Sequence, residues 1–169
     1  MNTQLKINIV SKSDLKIVID LANEIWPICY KDTISAIQIQ NLLDKIYSVE
    51  NLIHEVEELG HVFWIAHDSR EPVGYISAYV EENNLWIKKL YILPEKQGKG
   101  YGTQFMNTVE NYFKNTKAIC LLVNSTNKSA QAFYKAKGFE VIDTVPVKMG
   151  DYYFTDFVMK KEILRNHAS

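Results

Sequence analysis

The sequence predicts an α+β domain folded around a single mixed β-sheet. Three observations carry that expectation. Apolar residues recur at helical spacing through most of the first sixty residues, β-rich runs separated by short polar links follow from His61, and helices then alternate with strands to the end of the chain. At 169 residues, 47% apolar and 23% charged, the chain has room for one domain, residues 1–169. A chain of this length buries roughly 70% of its unfolded surface.

Taken in order, residues 6–10 read as a short first strand. Ser11-Lys12-Ser13-Asp14 supplies capping residues ahead of Leu15, Val18, Ala22, Ile25 and Trp26, which fall at helical spacing, and Pro27 is expected to end that helix. Ser35 opens a second helix whose stripe is Ile39, Leu42, Leu43, Ile46 and Tyr47. A third, short helix runs from about residue 49 to 59 and stops at Gly60. Residues 61–67, 72–80 and 85–93 are the β-rich runs. Their links, Asp68-Ser69-Arg70-Glu71 and Glu81-Glu82-Asn83-Asn84, are tight and polar, so the strands form an antiparallel meander. After Pro94 and a glycine cluster comes a helix beginning near Gly102-Thr103, with Phe105, Met106, Val109, Tyr112 and Phe113 on one face. A buried strand at 118–123 and a helix at 127–137, stopped by Gly138, follow. Residues 139–144 and 152–160 close the chain as strands, with a loop containing Pro146 and Gly150 between them. Strand, helix and strand across residues 85–123 form one right-handed parallel crossover, which places the glycine cluster at a strand-to-helix junction.

Composition excludes several classes of function. Nineteen Lys and Arg against twenty Asp and Glu leave a net charge of -1, so the even attraction to a phosphate backbone that nucleic-acid binders need is missing and any anion site is local. Cys29 and Cys120 are too few and too far apart for a zinc cluster or a disulfide framework. No metal site is expected. Residues 1–14 carry polar or charged groups every few positions and offer neither a signal peptide nor a membrane span, so the expectation is a cytoplasmic protein.

Gln97-Gly98-Lys99-Gly100-Tyr101-Gly102 has chemistry of its own. A glycine-rich turn lets several backbone N–H groups converge, and the helix that follows adds unpaired donors and a positive dipole end, so the junction suits a pyrophosphate. It is not a P-loop, because no Gly-Lys here precedes Ser or Thr. Nor is it the dinucleotide pattern G-x-G-x-x-G, because Thr103 stands where the third glycine belongs.

The run from Leu90 through Pro94 to Gly102 resembles the acetyl-CoA signature of the GNAT superfamily of N-acetyltransferases, Q/R-x-x-G-x-G/A after a strand. Downstream, Asn127-Lys128-Ser129-Ala130-Gln131-Ala132-Phe133-Tyr134-Lys135-Ala136-Lys137-Gly138-Phe139 resembles the second signature of that family, N-x-x-A-x-x-x-Y-x-x-x-G-F. The resemblance covers residues 7–160, loosely over 11–60. It implies a central mixed, mostly antiparallel twisted sheet of about seven strands with helices on both faces, and acetyl-CoA as cosubstrate. By position, the backbone of Leu90, Tyr91 and Ile92 would meet the acetyl group and pantetheine arm. Gln97, Gly98, Lys99, Gly100, Tyr101, Gly102 and Thr103 would hold the pyrophosphate, with Lys99 either adding charge or standing in solvent. Asn127 would bind the pantetheine arm, its alternative being a plain helix N-cap. Tyr134 would protonate the departing thiolate, its alternative being a core aromatic.

The implied reaction is direct attack of a small-molecule amine on the thioester. It needs a neutral nucleophile, a stabilised oxyanion and a proton for sulfur. A backbone N–H on the opened strand, assigned to Ile92, would serve the oxyanion, and Tyr134 would serve the sulfur. An alkyl amine near pKa 10.4 costs on the order of 4 to 5 kcal/mol to deprotonate at neutral pH, so a base is required. The sequence departs here from family members that carry a strand glutamate: residues 85–93 and 118–123 contain no acid. The base is unassigned, with Glu24, Tyr30, Asp32, His54 and Glu57 as candidates in the helical region and His61 and His67 at strand ends. The segment Ile25-Trp26-Pro27-Ile28-Cys29-Tyr30, with the helix after it and Ser48, resembles a branch containing bacterial polyamine acetyltransferases. Glu50, Glu55, Glu57 and Glu58 would suit a polycation if they lined a groove, the alternative being a solvated face. Trp26 and Tyr30 either hold an alkylamine by cation-π contact or pack in the core. The last strand, 152–160, is able to pair across a homodimer, as in many relatives. The competing classes are a noncatalytic acyl-CoA sensor with the same fold and, further off, a nucleotide-binding protein.

Overall fold

The computed structural model describes residues 5–163. Its elements are β1 (Leu5–Ile9), α1 (Leu15–Cys29), α2 (Ala36–Ile46), α3 (Val49–Glu57), β2 (Val62–Asp68), β3 (Glu71–Glu81), β4 (Asn84–Ile92), α4 (Tyr101–Tyr112), β5 (Ala118–Asn124), α5 (Lys128–Ala136), β6 (Glu140–Met149) and β7 (Tyr152–Glu162). They form one seven-stranded sheet of order β1-β2-β3-β4-β5-β7-β6. Every pairing is antiparallel except that of β4 with β5, which makes the expected parallel crossover through α4. Helices α1 to α3 pack on the face carrying Phe63, Ile65 and Tyr75, and α4 and α5 on the face carrying Leu85, Ile87, Ile119 and Leu121. No helix among the described residues is long and apolar enough to cross a membrane.

The local signals work through ordinary hydrogen bonding. Ser35 accepts from the Gln38 N–H at 3.1 Å while the Gln38 side chain takes the Ser35 N–H at 2.9 Å, a complete capping box at the start of α2. Ser48 caps α3 in the same way through Asn51 N–H at 3.1 Å. Both polar hairpin links turn through residues with positive φ, Ser69 and Arg70 in one and Glu82 and Asn83 in the other, the geometry that matches the twist of the flanking strands.

Three expectations need correction. Pro27 does not end α1, which continues to Cys29 and closes with Tyr30 N–H on the Trp26 carbonyl at 3.0 Å. In the last turn a proline removes only one helical bond, so the buried stripe of Val18, Ala22, Ile25 and Trp26 prevails. Pro146 is not in a loop but inside β6, opposite Thr155. That strand is the sheet edge, where a missing N–H costs no ladder bond. For the same topological reason the last strand is not able to pair across a dimer: β7 lies between β5 and β6, with both edges filled, and the open edges of the sheet are those of β6 and β1.

The feature that positions the site is a bulge. Ser77 pairs with Lys89 but its neighbour Ala78 pairs with Ile87, so Lys88 is an extra residue on β4. Before the bulge the odd residues Leu85 and Ile87 face α4 and α5; after it the even residues Leu90 and Ile92 do, while Tyr91 turns to α1. The β4–β5 ladder stops at the same point, with Ile87 opposite Leu121. Beyond it β4 stays with β3 and β5 with β7, so the two parallel strands part and leave a cleft.

Candidate active site

The cleft, of about 410 Å³, runs through the parted strands from the α5 side to the α1–α3 side. Alternation along β4 decides which backbone groups face it. Leu93 N–H bonds the Val73 carbonyl at 2.8 Å, so Tyr91, two residues back, also spends its backbone on β3, and Leu90 and Ile92 turn theirs toward the parted edge. Of the predicted strand residues, Leu90 and Tyr91 line the cleft; the Tyr91 contribution is its side chain. The Ile92 carbonyl receives Gln97 Nε2 at 3.3 Å, which ties the glycine loop back to the strand.

Past β4 the chain makes a short turn at Pro94–Lys96 and enters the loop. Gly98 and Gly100 both have φ of +81°, and a Cβ on either would meet no protein atom within 4 Å. The first bond of α4 is Gln104 N–H to the Gly100 carbonyl, and the N–H groups of residues 98–103 donate to no acceptor among the described residues. Successive free donors at the start of a twelve-residue helix make an anion cradle. Lys99 is exposed beside it. Tyr101 and Gly102 contribute differently. The Tyr101 ring is buried and its hydroxyl bonds Asp68, pinning α4 to the β2–β3 hairpin. A Cβ on Gly102 would stand 3.0 Å from the Phe133 ring, so this glycine lets α4 lie against α5. Thr103 is half-buried.

On the α5 side, Asn127 and Tyr134 both reach the cleft wall. Asn127 Oδ1 caps α5 through the Ala130 N–H at 3.1 Å, leaving its amide nitrogen without a partner among the described residues. Tyr134 packs edge-on against Phe133 and Phe139. Its hydroxyl makes no hydrogen bond among the described residues, and burial raises its pKa far above the ordinary tyrosine range. A phenol in that state keeps its proton until a stronger base arrives.

The opposite side is aromatic. Trp26 sits 4.8 Å from Tyr30, 5.5 Å from Tyr47 and 5.8 Å from Tyr91, ring centre to ring centre. Tyr30 and Tyr91 share a hydroxyl–hydroxyl hydrogen bond of 2.8 Å, and Tyr75 and Tyr47 one of 2.6 Å. Under this wall lies a buried charge cluster: Lys89 Nζ donates to Glu55 Oε1 at 2.6 Å, Asn51 Nδ2 to Glu55 Oε2 at 3.1 Å, and His61 Nδ1 stands 3.5 Å from Oε1. Burial pushes the Glu55 carboxyl up, but His61 and Lys89 pull harder and hold it below the usual range. Burial lowers the Lys89 ammonium against the pull of Glu55.

Of the proposed bases, only Tyr30 lines the cleft. Glu24, Asp32, His54 and Glu57 are exposed, with Glu57 bound to Lys12. His61 is buried under Tyr79, stacked at 4.5 Å, and His67 lies at the β1–β2 margin. Glu55 leaves the acidic run for the interior, and Glu50, Glu57 and Glu58 form its solvated face. Two cleft residues were not foreseen: Lys89, paired with Glu55, and Asp156, a half-buried carboxylate brought in by β7. No local motif marks either.

A family model described as an acetyltransferase (GNAT) domain matches residues 30–162. The spermidine N(1)-acetyltransferase of Thermoplasma acidophilum is 27% identical over 164 residues, covering 94% of this chain and 97% of that one. The crystal structure of PaiA N-acetyltransferase from Thermoplasma acidophilum in complex with coenzyme A is similar with a TM-score of 0.82 and 26% identity, over 95% of this chain and 99% of that chain. A spermidine N-acetyltransferase from Vibrio cholerae, in complex with CoA and spermine, shares the fold at 18% identity, with a TM-score of 0.67 over 95% and 96% of the two chains. The family match spans most of the sequence, and the chain accordingly belongs to the GNAT acetyltransferases, with acetyl-CoA as its cosubstrate.

Proposed function

We propose that the protein transfers the acetyl group of acetyl-CoA to a primary amine of a small molecule, a polyamine, by direct attack through a tetrahedral intermediate. The observation that carries this reading is a set of three unspent groups: the N–H groups of residues 98–103 in the loop that follows β4, the parted edge of β4, and the Tyr134 hydroxyl on the cleft wall. The loop N–H groups hold the pyrophosphate, with Lys99 beside it. Asn127 donates its amide to the pantetheine arm, which runs along the parted β4 edge. An N–H of that edge, from Leu90 or Ile92, receives the oxyanion; it is fixed by the ladder to β3 and needs no reorganisation. Tyr134 gives its proton to the leaving sulfur. The polyamine assignment draws on the printed name of the 27% identical relative and on the aromatic wall around Trp26 and Tyr30, which suits an alkylammonium.

Release of free CoA thiol against a panel of amines tests the reading. Turnover with polyamines above that with aminoglycosides, amino acids and peptide N-termini is expected. Activity confined to peptide N-termini would contradict the acceptor, and tight acetyl-CoA binding without amine-dependent release would make the protein a sensor. The cradle has its own test. Gly100→Val should weaken CoA binding at least about tenfold, or 1.4 kcal/mol. Gly100→Asn separates bulk from backbone strain, because asparagine tolerates a positive φ. Titration calorimetry should show weakening in both; unchanged affinity in both removes the loop from the site.

A further inference from the structure

We propose that Asp156 is the carboxylate that receives the reacting ammonium of the acceptor and takes its proton. The assignment rests on the acetyltransferase reading above and supplies the base that reading lacks.

Two carboxylates line the cleft, Glu55 and Asp156. Glu55 is already held by Lys89 at 2.6 Å and Asn51 at 3.1 Å, with His61 at 3.5 Å, so an incoming cation would have to displace a buried lysine to reach it. The Asp156 carboxylate makes no hydrogen bond and no ion pair within 4 Å among the described residues. The charge of Asp156 alone is unspent. Its position is equally specific. Asp156 pairs with Asn124 at the far end of β5, beyond the last β4–β5 pair, where the strands have parted. It shares a strand face with Tyr152 and Phe154, which pack toward α1 to α3, and so lies on the acceptor side. Tyr134 stands on the α5 side. Base and acid thus flank the parted strands, as a reaction with entry from one side and departure from the other requires.

The charged and titratable groups facing Asp156 are Lys88 from the β4 bulge and Tyr30, which caps the end of α1, and Lys148 of β6 lines the same cleft. Burial raises the Asp156 carboxyl, with Lys88 opposing more weakly. Burial makes the carboxylate a stronger base, and the positive charge of Lys88, which weakens that base somewhat, also favours loss of a proton from an ammonium bound beside it. Lys88, Lys89 and Lys148 against Glu55 and Asp156 leave the cleft with more cation than anion. It therefore has one place for an ammonium, and further cations of a polyamine extend toward solvent.

The ammonium gives one proton to the Asp156 carboxylate, which later releases it to solvent. The freed nitrogen pair forms the C–N bond and the carbonyl π pair moves to oxygen. When that pair returns, the C–S bond breaks and sulfur takes the Tyr134 proton; the surplus proton on nitrogen restores the tyrosine.

The test is the pH profile of Asp156→Asn and Asp156→Glu, read as thiol release with spermidine and as CoA affinity. Asp156→Asn should lower kcat/KM at neutral pH by about 10²-fold or more. It should lose the acidic limb of the profile and recover toward wild type near pH 10, where the amine is neutral unaided. Asp156→Glu should restore part of the activity, and CoA affinity should stay unchanged in both. A wild type that turns over while Asp156→Asn stays within threefold at every pH overturns the assignment alone. So does a loss independent of pH and accompanied by weaker CoA binding, which marks a structural role. A wild type that binds acetyl-CoA but acetylates no amine overturns the acetyltransferase reading and the assignment with it.

Discussion

Tyr134→Phe is expected to lower kcat by about two to four orders of magnitude while leaving the CoA dissociation constant within about threefold. The ring is fixed by Phe133 and Phe139 and loses none of that packing on substitution, so the fold has no reason to change. What disappears is a hydroxyl with no partner among the described residues, kept protonated by burial. Without it the thiolate leaves unprotonated, and the cost falls on the transition state rather than on cofactor binding. Burst and steady-state thiol assays on the variant distinguish the outcomes. Normal turnover would return Tyr134 to the role of a core aromatic.

The second large effect is on stability. Glu55→Gln should destabilise the fold by about 3–5 kcal/mol, because Lys89 would be left with its charge uncompensated in the interior. For a chain of this length that corresponds to a Tm drop on the order of 10 °C. The double variant Glu55→Leu, Lys89→Met should recover most of the loss, since an apolar pair of similar volume has no charge to desolvate. The sign of the pH dependence follows from the direction of the Glu55 shift. Its carboxyl is held below its ordinary value of 4.5, so the stabilisation is fully present above that value and is lost as the pH falls through the folded-state pKa. Wild type and Glu55→Gln should therefore converge in acid, as measured by denaturant unfolding across the acidic range. A constant difference down to the lowest pH would mean that the pair is not what Glu55 contributes.

These residues also mark how far sequence alone reaches. The glycine loop was legible because its chemistry is local: Gly98, Gly100 and the helix start are neighbours in the chain, and their N–H groups converge without help from elsewhere. Capping at Ser35 and Ser48 was legible for the same reason. The bulge at Lys88 was not, because it exists only in the pairing of β4 with β3 and reverses which residues face each layer. Glu55 and Glu57 look equivalent in an acidic run, yet two residues on a helix point to opposite sides, and burial of Leu52 selects Glu55 for the interior. Asp156 was furthest from reach. It enters the cleft only because β7 inserts between β5 and β6. The two prolines mislead for different reasons: Pro27 gives up one helical bond that the buried stripe of α1 outweighs, and Pro146 stands on an edge strand where its missing N–H costs no ladder bond.

The loop and the parted strands together hold the coenzyme, and a crystal structure of the CoA complex examines both at once. The pyrophosphate should lie on the N–H groups of residues 98–103, the pantetheine arm along the Leu90 and Ile92 edge of β4, and the sulfur within hydrogen-bond reach of the Tyr134 hydroxyl. Coenzyme bound elsewhere, or a loop whose N–H groups turn onto the protein's own carbonyls while CoA is held, would contradict it.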